Sequence, residues 1–229
     1  MTKVKICGIS QVSHAVAAVD AGADFIGFLF APSTRQVTPE RARELVREAK
    51  ELRPSIGQRP AVVGVFVNAP AQEVNRTAEY CGLDWVQLHG DETLEDCSAI
   101  ERPIFKVVRI RADEPEEELL ARLDEELAAI IEHGYVPMLD RASTGRYYGG
   151  TGRPLDWRAA SRLAQGYQVL LSGGLSPQNV AQAIEQVRPW GVDVSSGVET
   201  DGAKDPAKIR AFVRAVAEAD KRLRSRVKG

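Results

Sequence analysis

The sequence predicts an α/β protein folded as a single (β/α)8 barrel, the TIM-barrel architecture, with residues 1–229 forming one domain, and three observations predict it. Eight apolar runs of strand length alternate with helical stripes along the whole chain. The run Phe25-Ile26-Gly27-Phe28-Leu29-Phe30 is continuously apolar, as a strand is when both its faces are buried and its neighbours run parallel. Parallel strands each need a crossover helix, and eight such units close naturally into a barrel. The open doubly wound sheet lacks its signature here, because Cys7-Gly8-Ile9-Ser10 after the first strand has no second or third glycine of a dinucleotide fingerprint.

The elements follow in order. Val4–Ile9 is the first strand, and Ser10 is placed to cap a helix carrying Val12, Ala15, Val16 and Val19, closed by Gly22. Phe25–Phe30 is the second strand. Thr38 caps and Pro39 opens a helix with Ala42, Leu45, Val46, Ala49 and Leu52 on one side. Ala61–Val67 is the third strand, and Val74, Thr77, Ala78 and Cys81 face inward from the helix that Gly82 ends. Trp85–Gly90, Ile104–Ile110 and Tyr135–Asp140 are the fourth to sixth strands. A short helix from Leu94 to Ile100 follows the fourth, and the longest helix, Glu114 to His133, follows the fifth. Glu116, Glu117 and Glu118 suit the positive end of that helix and read as a solvated start, not a metal site. The loop Arg141–Arg153 carries four glycines, a length typical of functional loops. Tyr167–Leu171 and Val192–Gly197 are the last two strands. Ser176 and Pro177 cap the helix between them, and Asp205 and Pro206 open the final one.

Composition narrows the function classes. Hydrophobic residues make up 44% and charged residues 27%, and the net charge is −2, so no broad cationic field for nucleic acid or membrane is implied. The three cysteines, Cys7, Cys81 and Cys97, show no paired spacing, which points to a reducing compartment and a cytoplasmic location. No run of 18 apolar residues is present. His14, His89 and His133 have no ligand spacing, so no histidine metal site is expected, and His14 is expected at the surface, off the apolar stripe.

In a parallel barrel the strands' C-terminal ends carry the chemistry. Cys7 and Asp140 end the first and sixth strands and so share that face, with His89 at the end of the fourth after Gln87. Arg35, in the loop after the second strand, has the planar fork that matches a carboxylate. Two stretches suit phosphate: Ser172-Gly173-Gly174-Leu175-Ser176-Pro177 and Ser195-Ser196-Gly197, each a strand end with glycine backbone that lets N–H groups approach an anion. Taken one at a time, these residues also admit plainer roles: a buried small hydrophobe for Cys7, a loop anchor for Asp140, a solvated surface side chain for Arg35 and simple turns for the glycines.

These stretches, with Lys5-Ile6-Cys7-Gly8-Ile9, Ser33–Pro39, Gly64–Asn68, Val86–Glu92, Leu139-Asp140, Gly149–Gly152 before Asp156-Trp157, Leu171–Leu175 and Val192–Glu199, resemble the phosphoribosylanthranilate isomerase family of tryptophan biosynthesis from Lys3 to about Phe212. The resemblance implies an Amadori rearrangement of a small phosphosugar-anthranilate substrate with no cofactor and no metal, by a monomer or homodimer. It implies Cys7 as general base, Asp140 as general acid and Arg35 on the anthranilate carboxylate. His89, Gly173, Gly174, Ser195, Ser196 and Gly197 complete the substrate site, the glycine and serine backbones taking the phosphate. The chemistry asks Cys7 to act as a thiolate and Asp140 to hold a proton by burial. Other readings are an indole-glycerol-phosphate synthase-like barrel using Lys5 or Lys106 as base, a histidine-pathway isomerase, which would want an Asp at position 7, a phosphate-binding barrel without catalysis, and a redox thiol at Cys7.

Overall fold

A computed structural model of the chain describes residues 1–54, 57–111, 115–141 and 157–227. Eight parallel strands close into a barrel in sequence order. They are β1 (Lys3–Cys7), β2 (Phe25–Leu29), β3 (Ala61–Phe66), β4 (Trp85–Leu88), β5 (Ile104–Ile110), β6 (Val136–Arg141), β7 (Leu170–Leu171) and β8 (Gly191–Val194). β1 pairs with β2 in the register Cys7 to Gly27 and with β8 in the register Lys5 to Asp193, which closes the ring. The helices between them are α1 (Val12–Ala21), α2 (Pro39–Glu51), α3 (Ala71–Cys81), α4 (Leu94–Ser98), α5 (Glu116–Glu132), α6 (Trp157–Leu163) and α7 (Val180–Val187), with α8 (Pro206–Val227) after β8. The predicted start of the acidic helix at Glu114 and the glycine-bearing loop, including Gly149–Gly152 and Arg153, lie outside the described residues.

Local chemistry sets most boundaries. The Thr38 hydroxyl accepts from the Arg41 N–H, with Pro39 opening α2. Thr93 and Asp96 form a reciprocal capping box on α4. Gly22 and Gly82 end α1 and α3 in the left-handed conformation that lets their N–H groups close the last helical turns.

Two apolar cores result. The larger lies between strands and helices. The smaller contains Phe25, Val63, Phe105, Val107, Met138 and Leu170. Phe105 touches Phe25, Trp85 and Trp190 with ring centroids 5.3, 4.6 and 6.4 Å apart. Aromatic residues from β2, β4, β5 and the entry to β8 can meet only inside the ring. Because Phe25, Trp85 and Trp190 open or precede their strands, this plug fills the N-terminal end of the lumen.

Several expectations are corrected. Ser10 does not cap α1; Gln11 occupies that position without a side-chain bond. His14 is buried, at 3% exposure, because α1 packs against both α2 and α8 and is covered over a wider arc than its stripe predicts. Burial holds its imidazole below the ordinary value, and Nδ1 has no protein partner among the described residues. Ser176 and Pro177 lie in a turn. The Asn179 carboxamide accepts from the Ser176 N–H at 2.8 Å and donates to Gly174 O at 2.9 Å, so α7 starts only at Val180. The longest described helix is α8, with 22 residues against 17 in α5, because it is covered by α1 and α7 together. A small hairpin, β9 (Glu199–Thr200) and β10 (Ala203–Lys204), follows β8 where no element was expected.

Phe105 is fully buried, so Phe105→Ala opens the plug at its centre. The expected cost is about 3–5 kcal/mol, read as a lowered midpoint in urea unfolding.

Candidate active site

Above the plug, at the C-terminal end of the barrel, lies a cavity of about 820 Å3. Cys7, the last residue of β1, lines it and is 5% exposed. Asp140, from β6, lines it too and is equally buried. The pleat turns alternate residues inward, so Cys7 stands two positions above Lys5 and Asp140 two above Met138. Arg35, His89, Gly173, Gly174, Ser195, Ser196 and Gly197 line the same cavity, which gathers every predicted site residue at one end of the ring.

Around Asp140, His89 Nε2 lies 3.2 Å from Oδ2, and Oδ1 accepts from the Arg141 N–H at 2.7 Å. His89 Nδ1 lies 2.7 Å from Gln87 Nε2. Gln87 thereby orients the imidazole so that Nε2 faces the Asp140 carboxyl. His89 therefore holds the carboxyl side chain as well as walling the cavity.

Around Cys7 the charges are denser. Lys5 is completely buried, and its ammonium donates to Asp193 Oδ1 at 2.7 Å, while the Ser172 hydroxyl donates to Asp193 Oδ2 at 3.2 Å. Burial works against the Lys5 charge, but Asp193 and Cys7 outweigh it and hold Lys5 above its ordinary value. Burial also pushes the Cys7 thiol up; Lys5 and Lys204 oppose that rise and Asp193 adds to it. Burial and Asp193 thus stand against the thiolate that the chemistry asks of Cys7, while Lys5 and Lys204 stand for it.

Arg35 is bracketed by charge as well. Its fork is already engaged: Nε donates to Glu199 Oε1 at 2.5 Å and Nη2 to Oε2 at 2.7 Å. Nη1 has no protein partner among the described residues. Glu199 also accepts from Lys204, whose ammonium donates to Ser195 O at 3.0 Å. Burial opposes the Glu199 charge, yet Arg35 and Lys204 hold its carboxyl below the usual range. Lys204 itself is held below its ordinary value by burial despite Glu199.

The two phosphate candidates touch. A side chain at Gly197 would collide with the Leu175 carbonyl, so the loops after β7 and β8 pack together only because that position is glycine. Gly173 has φ +86°, and a Cβ there would lie 2.9 Å from Asp140 Oδ1. Both glycines thus serve close packing as well as any anion.

Sequence reasoning assigned no role to the Lys5–Asp193 pair or to the Glu199–Lys204 bracket on Arg35, and placed Ser172 only within a phosphate-binding stretch. A signal existed for the first: a lysine and an aspartate inside apolar strands must be paired to be buried. The bracket had none, since it depends on a hairpin that four residues form. Lys106, the other candidate base, points out of the lumen to Glu92, 3.0 Å away. Among the described residues no group of three or more His, Cys, Asp or Glu side chains could hold a metal ion, and no helix is long and apolar enough to cross a membrane.

Comparison with known proteins gives a consistent result. The model of a family described as N-(5'phosphoribosyl)anthranilate (PRA) isomerase matches residues 4–215. An N-(5'-phosphoribosyl)anthranilate isomerase of Dehalococcoides mccartyi is 42% identical over 220 residues, covering 96% of this chain and 98% of that protein. A crystal structure of monomers made from the dimeric phosphoribosylanthranilate isomerase of Thermotoga maritima superposes with a TM-score of 0.77 at 34% identity, covering 95% of this chain and 100% of that one. A phosphoribosyl anthranilate isomerase in complex with reduced 1-(o-carboxyphenylamino)-1-deoxyribulose 5-phosphate has a TM-score of 0.76 at 33% identity, with the same coverage. The synthase-like and histidine-pathway readings are set aside by this match.

Gly173→Ala combines a left-handed backbone with a clash against Asp140, whereas Gly202→Ala, at φ +80° with nothing within 4 Å, tests the backbone alone. Gly173→Ala is expected to cost about 1–3 kcal/mol, and more than Gly202→Ala, by urea unfolding.

Proposed function

The chain belongs to the N-(5'-phosphoribosyl)anthranilate isomerase family, an enzyme family of tryptophan biosynthesis, and we propose that Cys7 is its general base and Asp140 its general acid. The observation that carries this assignment is that the two side chains, from β1 and β6, line one cavity together with the glycine loops after β7 and β8.

The chemistry follows from the groups present. Asp140 gives its proton to the ribose ring oxygen as the C1–O bond opens and the anthranilate nitrogen forms an iminium. The iminium acidifies C2, and Cys7 takes the proton from it, leaving an enaminol. That species tautomerises to the ketone, 1-(2-carboxyphenylamino)-1-deoxyribulose 5-phosphate. The reaction is an isomerisation and needs no outside oxidant or reductant. His89 holds Asp140 against the ring oxygen through Nε2. Arg35 presents Nη1 to the anthranilate carboxylate, with Glu199 locking the other edge of the guanidinium. The backbones of Gly173, Gly174, Ser195, Ser196 and Gly197 take the phosphate. The chain is read as a monomer or homodimer, and the description of the Thermotoga maritima relative as dimeric supports the homodimer. The three free, buried cysteines support a cytoplasmic location.

Turnover is followed by fluorescence with phosphoribosylanthranilate generated in situ. Cys7→Ala and Asp140→Asn are each expected to lower kcat by about 10²–10⁴-fold with the far-UV circular dichroism unchanged. Near wild-type turnover in either variant would remove that residue's role. Arg35→Lys keeps a charge but not the planar fork, and is expected to raise KM about tenfold.

A further inference from the structure

We propose that Lys5 is the positioning residue that lets Cys7 act as a base: its buried ammonium, tethered by Asp193, is the counter-charge for the thiolate. This rests on the assignment of Cys7 as general base. The geometry is specific. A Cβ at Gly27 would lie 3.1 Å from Cys7 Sγ and 3.2 Å from Lys5 Nζ, so thiol and ammonium converge on the one β2 position that has no side chain. Lys5 has no exposure to solvent, so its field is not screened by water.

The other charges around Cys7 are otherwise engaged. Arg35, in the loop after β2, and Lys204, on β10, share the carboxylate of Glu199, and Lys204 also donates to Ser195. Asp193, on β8, is the anion facing Cys7, and part of its charge is drawn off by the Ser172 hydroxyl. Asp140 on β6 and His89 after β4 line the same cavity and are bonded to each other. Lys5 has one carboxylate partner among the described residues, Asp193, and its ammonium keeps donor capacity beyond that bond.

Stability does not account for Lys5. A buried ion pair is commonly no better than apolar residues of the same volume, and directly below lies an apolar plug that a methionine would extend. Nor is Lys5 the base itself, since Asp193 keeps its ammonium protonated. When Cys7 takes the C2 proton, the thiolate that does so is the species a neighbouring ammonium favours, and the neutral thiol forms as the proton arrives. The free thiol's upward displacement by burial is the penalty that Lys5 offsets.

The test needs no turnover. Alkylation of Cys7 by iodoacetamide is measured against pH in the intact protein, with peptide mass mapping to separate Cys7 from the buried Cys81 and Cys97. Asp193→Asn leaves Lys5 with the thiolate as its anion, and the alkylation midpoint is expected to fall. Lys5→Met is expected to raise the midpoint, read as about a tenfold or greater loss of rate at pH 9. If Lys5→Met alone does not fold, Lys5→Met/Asp193→Asn removes both charges together. Its midpoint is expected about one to three pH units above that of Asp193→Asn. The pH profile of kcat/KM should move in the same directions.

A merely structural Lys5 would lower stability and kcat while Lys5→Met keeps the wild-type midpoint and the double variant keeps that of Asp193→Asn, and that result overturns the proposal. Midpoints that move while Cys7→Ala keeps its turnover would instead overturn the base assignment on which it rests.

Discussion

Closing eight parallel strands into a ring sends alternate side chains of every strand into a narrow lumen that must be filled. Everything else about this molecule follows from how it is filled. The lower part is apolar and aromatic, with Phe105 at its centre. The upper part cannot be closed in the same way and still admit a substrate. Its inward positions are held by Lys5, Cys7, Asp140, Ser172 and Asp193, with Gly27 leaving room among them. The change from a dry plug to a charged rim takes place within two residues along β6, from Met138 to Asp140.

Placing charge there is costly unless it is paired, and the pairing is systematic. Lys5 meets Asp193 across the β1–β8 seam that closes the barrel. Asp140 is held by His89, from the end of β4, two strands away around the ring. Arg35 and Lys204 are held by Glu199. All but the Lys204–Glu199 pair, which lies within one hairpin, join elements distant in sequence, so the same contacts that neutralise the rim also fix the positions of the groups around the cavity. Cys7 shares the Lys5 ammonium with Asp193, and its environment is accordingly decided by its neighbours.

The glycines act at the same level. Gly173 and Gly197 let the loops after β7 and β8 lie against Asp140 and Leu175 at distances that no side chain would permit. A pair of loops packed this closely presents backbone N–H groups instead of side chains to the cavity, a surface suited to an anion. The left-handed conformation at Gly173 and the steric demand at Gly197 thus carry one consequence, the pairing of two loops over the end of the barrel.

Much of this was readable from the chain alone. Apolar periodicity and caps located β5, α2 and α3 to within a residue or two, because those signals are local. The residues at the strand ends were also readable, since strand direction in a parallel barrel assigns them to one face. What lay beyond the sequence were the contacts between elements. The burial of His14 depends on α8 covering α1, the length of α8 on support from two helices, and the late start of α7 on the Asn179 side chain. The identity of the charged residues was plain from the start, but their pairing was not. Lys5 lies 188 positions from Asp193 and Arg35 lies 164 from Glu199. The sequence by itself determined the barrel and which residues ring its mouth, because both rest on short-range alternation. Only the tertiary structure decided which charge faces which, and so which neighbours favour or oppose a thiolate at Cys7, because that depends on distance and burial after closure.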